Sequence, residues 1–229
     1  MENEVRPVWL ITGAAGVLGR ELVRQALDLG ADCIALDRNV RGLNALHDEL
    51  QQAGKPVPAL MPFDLAGAGP DDYLDLAEGV RSAVGRLDVL VHNAADFVAL
   101  RPLEHQPVDE WMKILQSGLT GPLLLSQALL PLLREADKAT MVYVSDEYCL
   151  KKPANWGAYG VSQAGRDWMA SALASELGPR GPRVLQFDPG PFYSPLRAAA
   201  WPAIDPADLP DAARAASDLI ACIREEQHP

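Results

Sequence analysis

Gly13, Gly16 and Gly19 set the first chemical expectation, because they separate the apolar run Val8, Trp9, Leu10, Ile11 from a segment in which Leu18, Leu22, Ala26 and Leu29 recur at spacings of four, four and three. The run suits a buried parallel strand, and the spacing suits a helix with one buried face. Glycines between two such elements let the backbone turn sharply and approach a pyrophosphate, whose charge is stabilised by the free amides at the helix N-terminus. Asp37 is the second chemical group. It follows the short apolar stretch 31–36 and stands 24 residues beyond Gly13, where a carboxylate accepts both hydroxyls of an adenosine ribose and repels a 2′-phosphate. Arg38, directly after it, can neutralise such a phosphate or stack on adenine. The expected ligand is a dinucleotide, NAD or NADP, with NAD ahead.

The elements that must position these groups follow in alternation. A helical pattern at 43–50 is ended by Gly54, Pro56 and Pro58, and 59–63 reads as a strand finishing at Asp64. A helix at 71–84 precedes the predominantly apolar strand 87–91, which runs into His92, Asn93, Ala94 and Ala95. A long helical stretch, 111–133, carries an expected interruption at Gly121 and Pro122, and strand 140–144 comes next. Helix 159–177, strand 184–187 and a last helix at 208–223 with Leu219, Ile220 and Ile223 on its apolar stripe complete the pattern. Prolines at 189, 191, 195, 202, 206 and 210 mark 189–210 as irregular. Alternating strands and helices predict an α/β fold, a single-domain Rossmann-type doubly wound parallel sheet with helices on both faces, spanning 1–229.

Composition narrows the functional classes. With 229 residues, 48% hydrophobic and 22% charged, the chain can bury one sizeable core. A net charge of -11 opposes binding to a phosphate backbone or an anionic membrane, so no nucleic acid and no membrane partner is expected. Cys33, Cys149 and Cys222 are widely spaced and form no CxxC pair, which suggests reduced thiols and neither a disulfide framework nor a zinc site. His47, His105 and His228 make no metal pattern with nearby acids, and no catalytic metal is expected. The start MENEVRP lacks a basic segment followed by an apolar core, and no apolar run approaches the roughly 18 residues needed to cross a bilayer. A cytoplasmic protein is the expectation.

Together, TGAAGVLG at 12–19, Asp64 after the third strand, HNAA at 92–95, Tyr159 in NWGAYGVSQ and DPGPFYS at 188–194 resemble the short-chain dehydrogenase/reductase family over nearly the whole chain. The resemblance implies that the glycine turn holds a pyrophosphate, Asp64 lies near the adenine, and Asn93 and Ala94 line the nicotinamide side. It also implies that Pro189 and Gly190 pass close to the nicotinamide, that Ser194 stands where a threonine usually bonds its carboxamide, and that 189–210 covers the substrate. Val17 occupies a position that is glycine in many members, with Gly16 before it to supply the turn. By the same resemblance the protein acts on an alcohol or carbonyl as an NAD(P)-dependent oxidoreductase and assembles as a homodimer or homotetramer through its long helices.

The catalytic pattern implied by the family is altered here. Tyr159 matches the proton-transferring tyrosine, and Gln163, four residues on and so on the same helix face, replaces a lysine. Glutamine can hydrogen-bond a nicotinamide ribose but cannot lower a phenol's pKa from about 10. The serine position, 13 residues before Tyr159, falls on Asp146, with Ser145 one step earlier and able to serve only if the loop slips by one residue. An ionised Asp146 would raise the phenol's pKa further, although a buried carboxyl can act as a general acid and a loop carboxylate can merely cap amides. The asparagine position falls on Gly118. Two readings follow: an oxidoreductase whose relay is rebuilt around Tyr159 with help from Asp146, Glu147, Lys151 or His92, or a catalytically lapsed nucleotide-binding or partner-binding protein. Trp156, Phe192, Tyr193 and Trp201 lie beside the expected cleft as pocket wall or core.

Overall fold

The computed structural model describes residues 6–225. Strands β1 (Val8–Thr12), β2 (Asp32–Asp37), β3 (Ala59–Pro62), β4 (Val89–His92), β5 (Thr140–Val144) and β6 (Arg183–Phe187) form a parallel sheet in the order β3-β2-β1-β4-β5-β6. Parallel neighbours need long crossover connections, and helices supply them. These are α1 (Val17–Asp28), α2 (Val40–Gln52), α3 (Pro70–Val84), α4 (Val108–Leu115), α5 (Gly121–Leu133), α6 (Glu147–Lys151), α7 (Gly157–Leu177), α8 (Pro195–Ala200) and α9 (Ala212–Glu225).

Successive strand residues face opposite sides, so one sheet feeds two cores. Trp9, Ile11, Ala35, Val91 and Val142 pack with Leu22 of α1, Leu43 and Leu46 of α2, and Leu219, Ile220 and Ile223 of α9. Leu10, Leu36, Leu90, Met141 and Tyr143 pack on the other side with Tyr73 and Val80 of α3, Leu125 and Leu129 of α5, and Met169 and Ala170 of α7. Leu10 and Ile11 are completely buried back to back, each contributing about 1.5–3 kcal/mol. The doubly wound fold expected from the alternation is the fold observed.

Three local expectations change. The long helical stretch is not interrupted at Gly121 and Pro122. It widens one turn earlier into a π turn at Gln116–Thr120, and α5 then begins with Pro122 in its first turn, where no amide donor is needed. The glycines there serve packing: a Cβ on Gly118 would come within 2.8 Å of Ser162 Oγ, and one on Gly121 within 2.8 Å of Tyr73 Oη. The segment 189–210 is not wholly irregular either, because α8 lies inside it, started by Pro195 and capped by Ser194 Oγ, which accepts from the Arg197 amide at 3.1 Å. Finally, α9 begins at Ala212, since 206–208 form a separate 3-10 turn capped by Asp205. Among the described residues, no helix is long and apolar enough to cross a membrane.

Candidate active site

The sheet order reverses between β1 and β4, and in open α/β sheets the crevice beyond the strand ends at such a point receives the ligand. A cavity of about 290 Å³ lies there, lined by Gly13, Gly16, Val17, Asp37, Arg38, Asp64, Asn93, Ala94 and Asp96. A second, of about 220 Å³, continues from it past Ser145, Asp146, Tyr159, Gln163, Arg166, Pro189 and Gly190, the two sharing Asn93, Phe192 and Ser194 as walls.

The glycine turn has the form a phosphate cradle needs. Gly13 adopts φ +66, and a Cβ on it would stand 2.9 Å from Ala94 Cα. Gly19 lets α1 close on the turn, for its Cβ would meet the Gly13 carbonyl oxygen at 2.1 Å. Gly16 is the N-cap of α1, no side chain caps it, and the first helical turn holds no acid. The N-terminal amides are thus unopposed by an intrinsic anion, which suits a bound pyrophosphate. Val17 starts the helix and forms part of the wall without closing the turn.

Around the turn, side chains fix the neighbouring loops. Asn93 Nδ2 donates to the Thr12 and Gly13 carbonyls at 3.0 and 3.2 Å, and Thr12 Oγ1 accepts from the amides of Asn93 and Ala94, both at 3.0 Å. Asp37 accepts from the amides of Ala15 at 3.0 Å and Asn39 at 2.8 Å, so its carboxylate ties β2 to the glycine turn while facing the cavity. Arg38 is not free: its guanidinium donates to both oxygens of Asp96 at 2.7 and 2.5 Å. Asp64 Oδ1 accepts from the Ala66 amide at 3.1 Å beside the same cavity.

In the second cavity the Tyr159 hydroxyl donates to Asp146 Oδ2 at 3.1 Å, while Asp146 Oδ1 accepts from the Cys149 amide at 3.1 Å and caps α6. Asp146 is therefore both the capping carboxylate and the phenol's partner. Burial, and next the charge of Asp146, push the Tyr159 phenol well above its ordinary range, so it is protonated at neutral pH. Ser145 lies on the same cavity wall as Asp146. Gln163 is buried beside them, and its Oε1 has no partner among the described residues. Ser162 Oγ, which donates to the Tyr159 carbonyl at 2.8 Å, fills the space a side chain at 118 would need. Gly190 adopts φ +66, with its amide donated to Asp188 Oδ1 at 2.7 Å.

Three proposed helpers are placed elsewhere. His92 is fully buried, stacked on Tyr143 with ring centroids 4.6 Å apart, and its Nε2 meets Ser126 Oγ at 2.8 Å. Burial holds it well below the usual imidazole range, so it is a neutral core residue and no proton relay. Glu147 and Lys151 pair with each other on the exposed side of α6. Trp156 is buried against Tyr159, Phe97 and Trp201, while Phe192 lines both cavities and Tyr193 is exposed.

Sequence reasoning missed Thr12, Asp96 and Arg166. Arg166 is the most consequential: it is 1% exposed, its Nη1 and Nη2 donate to the carbonyls of Ala94 and His92 at 3.2 and 2.5 Å, and its Nε has no partner among the described residues. Its signal was its place seven residues after Tyr159, two helical turns along the same face.

Strand order, glycine turn and cleft together define a Rossmann-type protein of the doubly wound class. Within that class, residues 7–205 match the family described as short chain dehydrogenase, and the chain belongs to that family. It is similar to YciK, an uncharacterized oxidoreductase of Escherichia coli, with 32% identity over 200 residues covering 87% of this chain and 79% of that one. Among solved structures, a short chain dehydrogenase from Escherichia coli complexed with NADPH matches with a TM-score of 0.90 and 30% identity, covering 95% of this chain and 90% of the other. Another from Shigella flexneri, complexed with NADP, matches with a TM-score of 0.87 and 30% identity, covering 93% and 89%.

Proposed function

We propose that the protein is a nicotinamide-dinucleotide-dependent oxidoreductase that works best as a carbonyl reductase, with Tyr159 as proton donor and Asp146 as its partner. The observation that carries this reading is the buried, protonated Tyr159 hydroxyl held 3.1 Å from Asp146 in a cleft continuous with the glycine turn. A protonated phenol is the form that donates to a developing alkoxide, whereas alcohol oxidation needs the phenolate that burial and Asp146 suppress. A bound nicotinamide supplies or accepts the hydride. In this reading Gly13, Gly16 and Gly19 hold the pyrophosphate, and Asp37 and Asp64 face the adenosine. Asn93, Ala94, Pro189, Gly190 and Ser194 border the nicotinamide, and Gln163 offers its unpaired Oε1 to a ribose hydroxyl. Ser145 stands beside Asp146 as a further contact to substrate, and the segment 189–210 covers it.

Cofactor preference follows from charge. The first cavity carries Asp37, Asp64 and Asp96 against one cation, Arg38, which Asp96 already neutralises. That balance disfavours a 2′-phosphate, so NAD is preferred, even though two similar structures are complexes with NADP and NADPH. Fluorescence titration with NADH and NADPH, followed by turnover on a panel of carbonyls, tests both statements. The wild type is expected to bind NADH more tightly, and Asp96→Asn, by releasing Arg38, to shift the affinity ratio toward NADPH by about tenfold, or roughly 1.4 kcal/mol. Binding of neither cofactor would sink the dinucleotide reading, and binding without turnover would favour a lapsed enzyme. A homodimer or homotetramer is supported by Met112 of α4 and Trp168 of α7, large apolar residues that are 62% and 74% exposed. A monomeric mass in solution would contradict it.

A further inference from the structure

Arg166 is a fully buried cation that, among the described residues, makes no ion-pair contact with a carboxylate; the charge of Asp167, next to it on α7, acts on it only through space. Its hydrogen bonds run to two main-chain carbonyls, those of His92 and Ala94, and its Nε is unpaired. An arrangement of this kind is costly, because a desolvated charge that no carboxylate hydrogen-bonds is offset only in part by Asp167 beside it. The geometry shows what the charge does. The two carbonyls bracket Asn93, whose side chain holds the Thr12 and Gly13 carbonyls, while Thr12 Oγ1 holds the Asn93 and Ala94 amides from the other side. One continuous set of hydrogen bonds therefore runs from the Tyr159 helix through 92–94 to the glycine turn.

The same placement bears on position 163. Gln163 and Arg166 are three residues apart on α7 and so are neighbours on one face, both buried and both lining the second cavity. A second cation at 163 would face the first at low dielectric, where like charges repel strongly.

We propose that Arg166 is the charge-bearing positioning residue of this site: it clamps 92–94 between α7 and the glycine turn, and its charge requires position 163 to be neutral. The first half rests on the dinucleotide reading; the second does not.

The test compares Gln163→Lys, Gln163→Met, Arg166→Met, Arg166→Lys and the double variant Gln163→Lys/Arg166→Met. Melting temperature is read without cofactor, and NADH and NADPH affinities are read by fluorescence titration. In the wild-type background Gln163→Lys should melt at least about 5 °C below Gln163→Met, and in the Arg166→Met background that deficit should fall by at least half, the remainder being the desolvation of the lysine itself; a deficit of equal size in both backgrounds overturns the charge claim. Folded Arg166→Met should bind cofactor at least about tenfold more weakly. Arg166→Lys, which keeps the charge, should recover part of that affinity and retain the penalty for lysine at 163. If Arg166→Met does not fold, Arg166→Gln supplies the neutral background in which the Gln163→Lys to Gln163→Met comparison is made. Equal melting of those two variants at wild-type Arg166 overturns the charge claim. Unchanged cofactor affinity in a folded Arg166 variant overturns the clamp. If the wild type binds neither dinucleotide, the function reading fails and the clamp with it, while the melting comparison decides the charge claim separately.

Discussion

A single methyl group at position 19 is expected to weaken cofactor binding by at least about a hundredfold, or roughly 2.7 kcal/mol, and to destabilise the fold at the same time. The Cβ of Gly19→Ala would lie 2.1 Å from the Gly13 carbonyl oxygen and 2.8 Å from Ala14 Cα. Both are backbone atoms, so no side-chain rotation relieves the contact. The glycine turn must instead move away from α1. Overpacking of this kind costs about 1–3 kcal/mol, which for a chain of this size lowers the melting temperature by roughly 2–4 °C per kcal/mol. The matched control is Gly79→Ala on the exposed side of α3, where an added Cβ meets nothing within 4 Å. A helical glycine so placed should gain about 0.5–1 kcal/mol on becoming alanine. Calorimetry with and without NADH separates the two effects. If Gly19→Ala melts and binds like the wild type, the turn is not the rigid cradle described above.

The difference between what the sequence shows and what the structure adds is one of range. Strands such as Thr140–Val144 were legible because a parallel strand covered on both faces is apolar along most of its length, and the switch between that pattern and helical spacing needs no partner to be seen. Helix α6 was not legible, since five residues cannot display a period and its cap, Asp146, was already accounted for by counting back from Tyr159. The break placed at Gly121 and Pro122 went wrong for a related reason. Glycine and proline punctuate a chain read locally, but here Gly118 and Gly121 make room for Ser162 and Tyr73, which are more than 40 residues away in sequence. In the site, the glycine turn and Tyr159 were visible as motifs. Arg166 carried only its spacing from Tyr159 as a signal, which many surface arginines share, and only the fold brings the carbonyls of His92 and Ala94 to its two amino groups. Asp96 is similar: its partner Arg38 lies 58 residues earlier.

Asp146 is where the altered catalytic pattern makes its largest testable claim on rate. Serine at 146 still caps α6, since serine is among the preferred N-cap residues, but it removes the negative charge that faces the Tyr159 hydroxyl. Burial remains as the first cause of the raised phenol pKa, and the second, the Asp146 charge, is gone. The phenolate is then easier to form, so Asp146→Ser should raise alcohol oxidation near neutral pH by at least about tenfold, equivalent to roughly 1.4 kcal/mol. Carbonyl reduction should rise by a similar factor, because the same change makes the phenol a stronger acid and the ratio of the two directions at one pH is fixed by the overall equilibrium. The sign also appears in stability. A phenol raised on folding contributes stability that is complete below its unfolded pKa of about 10 and is lost as pH climbs beyond it. Tyr73 and Tyr143, each raised by burial to about 12, add to that alkaline loss. Asp146→Ser should lose less stability above pH 10 than the wild type does, because its phenol is shifted less. Asp146→Asn, which keeps an acceptor without the charge, should follow serine in both readouts, and Tyr159→Phe, which lacks the hydroxyl, should lie about 10²- to 10⁴-fold below the wild type in reduction. Pre-steady-state rates in both directions, measured across pH, decide the question. An oxidation profile that does not move when the charge at 146 is removed would mean that burial alone governs Tyr159 and that Asp146 serves only as a cap.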